Sequence, residues 1–183
     1  MNNKYFKKMD YKEMSRKIVF NGKRIKVEEL EYLNGNKKIY REHVIAGSAS
    51  VILPITDDGK IIMIRETRTP IGQVILALPA GMIEEGERAE VAAIRELEEE
   101  TGYLAKNIKF LREYHPSVGY SDEKISIYLA TNMKKTQQHL DYEEDIEVLE
   151  IPLDEAIKML DNNEFITAST TIALLHYLRY EIK

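Results

Sequence analysis

Cysteine is absent from this 183-residue chain, and no stretch of it stays apolar for long. A chain without cysteine has no disulfide, no thiolate catalysis and no cysteine-ligated zinc. Its absence is compatible with a reducing cytosol. The opening residues, MNNKYFKKMD, hold no apolar segment, so we expect no signal peptide. No run reaches the length that spans a bilayer, so we expect a cytoplasmic protein without membrane contact.

An excess of basic charge is also missing. Lys and Arg number 26 against 31 Asp and Glu, which gives a net charge of −5. This balance provides neither the electrostatic footprint of a nucleic-acid-binding protein nor a polybasic patch for anionic lipid. Nucleic acid and membranes are therefore not expected as partners.

The first part of the chain is predicted to form strands joined by tight turns. Asn21-Gly22 and Asn34-Gly35 are dipeptides typical of hairpin turns, and alternating runs flank them. A hairpin segment of about thirty residues is too small to be stable alone. We expect residues 1–45 to form a small antiparallel β subdomain that packs on the rest of the chain or on a second copy.

The remainder, residues 46–183, is predicted to form one α/β domain. Short apolar runs predict strands at 48–55, 60–65, 74–78, 107–114 and 124–131. Helical spacing of apolar residues predicts helices at 88–101, 152–160 and 170–179. This order indicates a mixed sheet with helices on more than one side.

Three carboxylates share one face of the predicted helix over 88–101. Glu96, Glu99 and Glu100 are three and four residues apart, and like charges at this spacing destabilise a helix by roughly 0.2–0.5 kcal/mol per pair. Their place near the helix C-terminus is also unfavourable. One interpretation is a solvated acidic face. The other is a set of hard oxygen ligands for Mg²⁺ or Mn²⁺, which would indicate phosphoryl or diphosphate chemistry.

Residues 81–103, GMIEEGERAEVAAIRELEEETGY, resemble the Nudix box. The box reads Gly, five residues, Glu, seven residues, then Arg-Glu-apolar-any-Glu-Glu-any-Gly-apolar. Every fixed position is matched, and Tyr103 fills the last apolar place loosely. The matching residues are Gly81, Glu87, Arg95, Glu96, Leu97, Glu99, Glu100 and Gly102. The resemblance implies a Nudix-type α/β/α sandwich with a mixed sheet, preceded by the β subdomain.

The same resemblance implies a hydrolase that cleaves nucleoside diphosphates linked to another moiety with the help of Mg²⁺ or Mn²⁺. By this resemblance, Arg95 would hold the box carboxylates in place by ion pairing, and Glu87 would support the geometry of the loop and the helix. Gly81 and Gly102 would be structural. The implied metal ligands are the Ala80 carbonyl, Glu96, Glu99, Glu100 and Glu144.

Beyond the box, residues 18–180 resemble the ADP-ribose pyrophosphatase group. This implies a homodimer that converts ADP-ribose, a small-molecule nucleotide, to AMP and ribose 5-phosphate, with the N-terminal sheets helping to build the partner's site. The implied substrate-binding residues are Arg41, Glu42, Arg68, Met82, Ser117, Gly119 and Glu123. The simpler alternatives are that Arg41 and Arg68 are plain surface charges and that Glu123 is a solvated loop residue.

The catalytic base is expected outside the helix, in the acidic run 141–145. Glu144 is the first candidate and Glu143 the second, and Glu99 of the box is a further catalytic candidate. The position that carries the base in one relative is occupied by Tyr142 here. A plain acidic loop is the alternative. His115 is interpreted as structural.

Two positions depart from the group's pattern. Ala77 stands where the group has Glu, and the usual Ser-Pro-Gly is Ser117-Val118-Gly119, with Pro116 displaced. The second change leaves open a second substrate class, an ADP- or GDP-hexose. A third hypothesis is a binding module without catalysis, but such modules usually lose box carboxylates, which are intact here.

Overall fold

The computed structural model describes Tyr5 and residues 7–182. They divide into two compact units, one formed by the chain up to Gly47 together with Ser117–Glu123, the other by Ser48–Pro116 and the chain from Lys124 onward. Nothing in the sequence indicated that residues 117–123 belong with the N-terminal segment.

The first unit contains an antiparallel sheet of three strands in the order β1-β2-β3. The strands are β1 (Lys12–Asn21), β2 (Lys26–Asn34) and β3 (Lys37–Ile45). Gly35 adopts a φ of 59° in the turn between β2 and β3, a conformation that glycine enters without strain. A small core of Leu30, Tyr32 and Ile39 lies on one face. The predicted antiparallel N-terminal sheet is confirmed.

The second unit contains seven strands in two sheets. The strands are β4 (Ser48–Pro54), β5 (Lys60–Arg68), β6 (Gln73–Ala77), β7 (Ala80–Met82), β8 (Tyr103–Tyr114), β9 (Lys124–Lys135) and β10 (Ile146–Pro152). One sheet has the order β10-β5-β6 and is antiparallel, and the other has the order β7-β4-β9-β8 and is mixed, because β4 and β9 are parallel. Three helices complete the unit: α1 (Ala89–Thr101), α2 (Leu153–Asp161) and α3 (Ala168–Tyr180).

The helices lie on both sides of these sheets, as the alternation of buried side chains shows. On β5, Ile61 and Met63 pack in one cluster with residues of α2 and α3, whereas Ile62 packs in a second cluster with α1. Successive side chains of a strand point to opposite faces, so β5 runs between the two helical layers. The expected α/β/α sandwich with a mixed sheet is therefore confirmed.

Two strands of the second unit were not predicted, and α1 and α2 each begin one residue later than expected. Ala80–Met82 form a three-residue strand against β4, too short to show alternation, and Ile146–Pro152 pair with β5 across the sheet. Pro152 is the N-cap of α2 rather than its first helical residue. Among the described residues, no helix has both the length and the apolar character needed to cross a membrane.

Candidate active site

Helix α1 presents two of its glutamates to the protein interior. Its apolar side chains Ala93 and Leu97 pack under β4 and β5, and Gly102 ends the helix in the left-handed conformation at a φ of 68°. Glu96 and Glu100 are only 9% and 4% exposed. Carboxylates are rarely buried unless they are paired or bind metal, so a plain solvated acidic face does not describe these two residues.

Glu100 is the most deeply buried carboxylate of this cluster. Its Oε2 accepts a hydrogen bond of 2.8 Å from the backbone N–H of Ala80. Burial raises the pKa of Glu100 to about 9; the Ala80 N–H opposes this shift, and the charges of Glu96, Glu66 and Glu144 add to it. At neutral pH the group therefore holds its proton unless a cation replaces it.

Arg95 connects the box carboxylates to one another. Its Nη1 donates to Glu96 Oε1 at 2.8 Å and to Glu99 Oε2 at 2.9 Å, and its Nε and Nη2 donate to the two oxygens of Glu87, each at 3.0 Å. The Met82 carbonyl accepts a further bond of 3.0 Å from Nη2. These hydrogen bonds lower the pKa of Glu87. One guanidinium thus fixes the loop that precedes α1 to the helix itself.

Gly81 lies directly against the Glu96 carboxylate. A Cβ at position 81 would come within 2.0 Å of Glu96 Cδ, far inside van der Waals contact. Glycine at this position is therefore explained sterically: the backbone of β7 passes over the Glu96 carboxylate. The neighbouring Ala80 bonds Glu100 through its N–H, so β7 contacts both buried glutamates of α1.

Glu99 differs from the other two helical glutamates. Its side chain is 41% exposed, and it borders an open cleft of about 460 Å³ that runs along the outer side of α1. The N–H of His139, which also lines this cleft, donates to the Glu99 carbonyl at 2.8 Å.

The acidic loop carries Glu144 within electrostatic reach of the buried cluster. The Glu144 charge raises the pKa of Glu66, Glu96 and Glu100, in each case as a lesser cause than burial. Glu144 Oε2 accepts a bond of 2.9 Å from the N–H of Asp141, which closes a turn at the loop's start. Tyr142 is fully exposed.

The other expected substrate residues are divided between the two units. Arg68 ends β5 and Met82 ends β7, both in the second unit, and both are exposed. Arg41 and Glu42 are exposed neighbours on β3 of the first unit, where Arg41 Nη1 donates to the Tyr40 carbonyl at 2.7 Å. Ser117, Gly119 and Glu123 lie in the segment that joins β3 in the first unit.

That segment is held against the end of β3 by backbone hydrogen bonds. The Val44 N–H donates to the Tyr120 carbonyl at 2.7 Å, and Asp122 Oδ1 accepts from the Ala46 N–H at 3.0 Å. Within the first unit, the strand of Arg41 and Glu42 and the segment of Ser117, Gly119 and Glu123 are therefore neighbours.

The profile of the NUDIX domain family matches residues 46–171. The chain belongs to the Nudix family. Over 172 residues it is 38% identical to an ADP-ribose pyrophosphatase of Bacillus subtilis (strain 168), with 92% of each chain covered. It is 34% identical over 179 residues to a methanol dehydrogenase activator of Bacillus methanolicus, with 96% of each chain covered. A crystal structure of an ADP compounds hydrolase has the same fold, with a TM-score of 0.83 at 24% identity over 94% of each chain.

The protein is accordingly a Nudix hydrolase, and enzymes of this family generally depend on divalent metal. The donors around α1 fit such an ion, because carboxylate and carbonyl oxygens are the hard ligands of Mg²⁺ and Mn²⁺. Across the described part of the chain, no three Asp, Glu, His or Cys side chains converge as a metal site. The physical reason is visible: Arg95 holds Glu96 and Glu99, while Glu100 bonds Ala80.

Sequence reasoning missed one carboxylate of this Nudix domain, Glu66 on β5. It ion-pairs with Arg68, and its side chain is 11% exposed. The signal was available in the sequence, because Ile62, Ile64 and Glu66 occupy alternate positions of one strand. A charged residue in a row of buried isoleucines is the kind of exception that marks a functional site.

Proposed function

We propose that this Nudix hydrolase cleaves the diphosphate linkage of ADP-ribose to give AMP and ribose 5-phosphate. The observation that carries the proposal is the buried pair Glu96 and Glu100 beside the β7 backbone, two carboxyl groups whose ionised forms need a cation at this depth. Similarity to the ADP-ribose pyrophosphatase of Bacillus subtilis, over nearly the whole of both chains, supports the choice of substrate.

The cation is Mg²⁺ or Mn²⁺. Glu96, Glu100 and the Ala80 carbonyl would hold it, with Glu99 and Glu144 as further ligands. When bound, such an ion neutralises diphosphate charge and lowers the pKa of an attacking water. Glu96 and Glu99, which Arg95 holds in this structure, would be free to bind the ion while Glu87 anchors the guanidinium through its two bonds.

Glu144 is the proposed base. Its charge acts on the buried glutamates from an exposed loop, so a movement of that loop can bring it to a water beside the diphosphate. The variants E144Q and E143Q separate the two candidates. We expect kcat to fall by about 10²–10⁴ in E144Q, the usual contribution of a general base, and by less than about threefold in E143Q. The reverse order would transfer the role to Glu143.

Substrate contacts are proposed for Arg68 and Met82 in the second unit, and for Arg41, Glu42, Ser117, Gly119 and Glu123 in the first. Residues 1–45 are proposed as the dimerisation subdomain of a cytoplasmic homodimer, with residues 46–183 as the hydrolase domain. The exposure of every residue of β1, including Ile18 and Phe20, supports a second copy of the chain as partner. A monomer in light scattering at micromolar concentration would contradict the dimer.

A second substrate class, ADP- or GDP-hexoses, is favoured by Ser117-Val118-Gly119, which replaces the Ser-Pro-Gly of the ADP-ribose pyrophosphatase group, with Pro116 displaced. A panel of nucleoside diphosphate derivatives, assayed with Mg²⁺ and with product identification, decides between the classes. We expect AMP from ADP-ribose at the highest kcat/KM. Preference for a hexose derivative by more than tenfold would replace ADP-ribose as substrate, and no turnover of any compound would leave the binding-module hypothesis.

A further inference from the structure

Glu66 occupies a place in the fold where a carboxylate costs free energy. It lies on the central strand of the β10-β5-β6 sheet, directly opposite Ile75 on one side and Ile146 on the other. Directly opposed residues in an antiparallel pair share a face of the sheet. Ile75 is buried and packs with Ile64 and Ala77, so the flanks of Glu66 are apolar.

The face that Glu66 shares is the one that carries α1. Two residues back along β5 is Ile64, and two before that is Ile62, which packs against Ala93 and Leu97 of α1. Two residues forward is Arg68, at the end of the strand. The row therefore runs from the core beneath α1, through a buried carboxylate, to an arginine whose side chain is 44% exposed.

Within the described residues, Arg68 is the only cation that pairs with Glu66. Arg68 Nη2 lies 2.6 Å from Glu66 Oε1, which is buried, although the two groups do not form an aligned hydrogen bond. Burial raises the pKa of Glu66, and the Glu144 charge adds to this, while Arg68 opposes both. Leucine or isoleucine at position 66 would complete the apolar row without burying a charge, and Arg68, whose side chain is 44% exposed, would remain hydrated. Stability thus does not explain the pair.

We propose that Glu66 is a positioning residue that holds the guanidinium of Arg68 toward the diphosphate of the bound substrate. The inference rests on the proposed function, since it takes Arg68 as a substrate contact. A guanidinium has five N–H donors in a fixed fork, so an ion pair through one Nη leaves other donors for phosphate oxygens. A preoriented arginine loses less conformational entropy on binding than one that is free to rotate.

The test compares steady-state kinetics of the wild type with those of E66Q and E66L. In both variants we expect KM to rise about tenfold with kcat within about threefold of the wild type, because the lost interaction orients a binding group. E66L is expected to unfold at the wild-type temperature or higher. A purely structural role would instead lower the unfolding temperature of E66L and leave KM unchanged.

E147Q is the matched control. Glu147 pairs with Arg65, also on β5, but this pair is exposed and Arg65 points to the opposite face of the strand. Removing it should leave both KM and kcat at their wild-type values. A KM increase in E147Q equal to that in E66Q would overturn the proposal, because any lost charge on this sheet would then have the same effect.

The dependence on Arg68 is tested by a double-mutant cycle. If Glu66 acts through Arg68, adding E66Q to R68A should change KM by less than about twofold relative to R68A alone. Independent, multiplicative effects would overturn the inference. If the wild type cleaves ADP-ribose and E66Q has the same KM for it, the inference is refuted but the proposed function is not. Absence of ADP-ribose turnover refutes the proposed substrate, and the same comparison is then made with the diphosphate sugar that is cleaved.

Discussion

Replacement of Glu100 by glutamine separates the stability of the site from its activity. With a pKa of about 9, Glu100 takes up a proton in the folded protein at neutral pH, whereas its ordinary value is 4.5. At pH 7, protonating a carboxyl group whose ordinary pKa is 4.5 lowers the free energy of unfolding by roughly 3 kcal/mol. Glutamine carries no charge to desolvate, and its carbonyl can still accept the Ala80 N–H.

We therefore expect metal-free E100Q to be more stable than the metal-free wild type at pH 7 by about 1–3 kcal/mol, or a few degrees in unfolding temperature. Turnover should fall at least about 100-fold, because a metal ligand is lost. Calorimetry in EDTA and initial rates with Mg²⁺ measure the two effects. E98Q, on the same helix, is the control and should change neither. A metal-free E100Q less stable than the wild type would refute the reasoning about the buried charge.

Three further perturbations test neighbouring parts of the site. Gly81→Ala places a Cβ 2.0 Å from Glu96 Cδ, so the Glu96 carboxylate must move. We expect a stability loss of about 1–3 kcal/mol in urea unfolding and a lower kcat. An unchanged kcat would contradict the claim that turnover depends on the position of this carboxylate. Arg95→Met leaves three carboxylates without their shared partner, and we expect a loss of roughly 2 kcal/mol, below the usual cost of breaking a fully buried pair because the guanidinium is partly exposed. Between pH 4.5 and 9, where the unfolded chain releases the Glu100 proton and the folded chain retains it, metal-free stability should fall as pH rises. Mg²⁺, which requires the ionised carboxylate, should raise the unfolding temperature more at pH 8.5 than at pH 5.5; an equal rise at both values would contradict this.

Features fixed by short spacing were predictable from the sequence. The helix with Glu96 and Glu100 on one face follows from a four-residue interval, and Gly102 marks its end. The strands β4, β5 and β9 follow from apolar runs. These assignments depend on residues that are close in the chain, so one sequence is enough to make them.

Features that depend on distant pairings were not predictable. The bond from the Ala80 N–H to Glu100 joins residues twenty apart, and β10 exists because Ile146–Pro152 find β5 across the fold. The attachment of residues 117–123 to β3 is of the same kind. The sequence pattern also predicted acidic residues on α1 without showing that two of them are buried, since burial is decided by what packs above the helix.

Glu66 shows a different limit. Its position in an alternating strand was visible, but the significance of a charge there depends on knowing which face of β5 carries α1. That orientation comes only from the packing of Ile62 against Ala93 and Leu97.

The most direct test of the central claim is a crystal structure of the protein with Mn²⁺ and a non-hydrolysable ADP-ribose analogue, in which anomalous scattering locates the metal. We predict a manganese peak within coordination distance of a carboxylate oxygen of Glu96 and of Glu100, and of an analogue phosphate oxygen. Glu96 and Glu100 still bonded to Arg95 and Ala80 alone, with manganese and analogue bound elsewhere, would contradict the account.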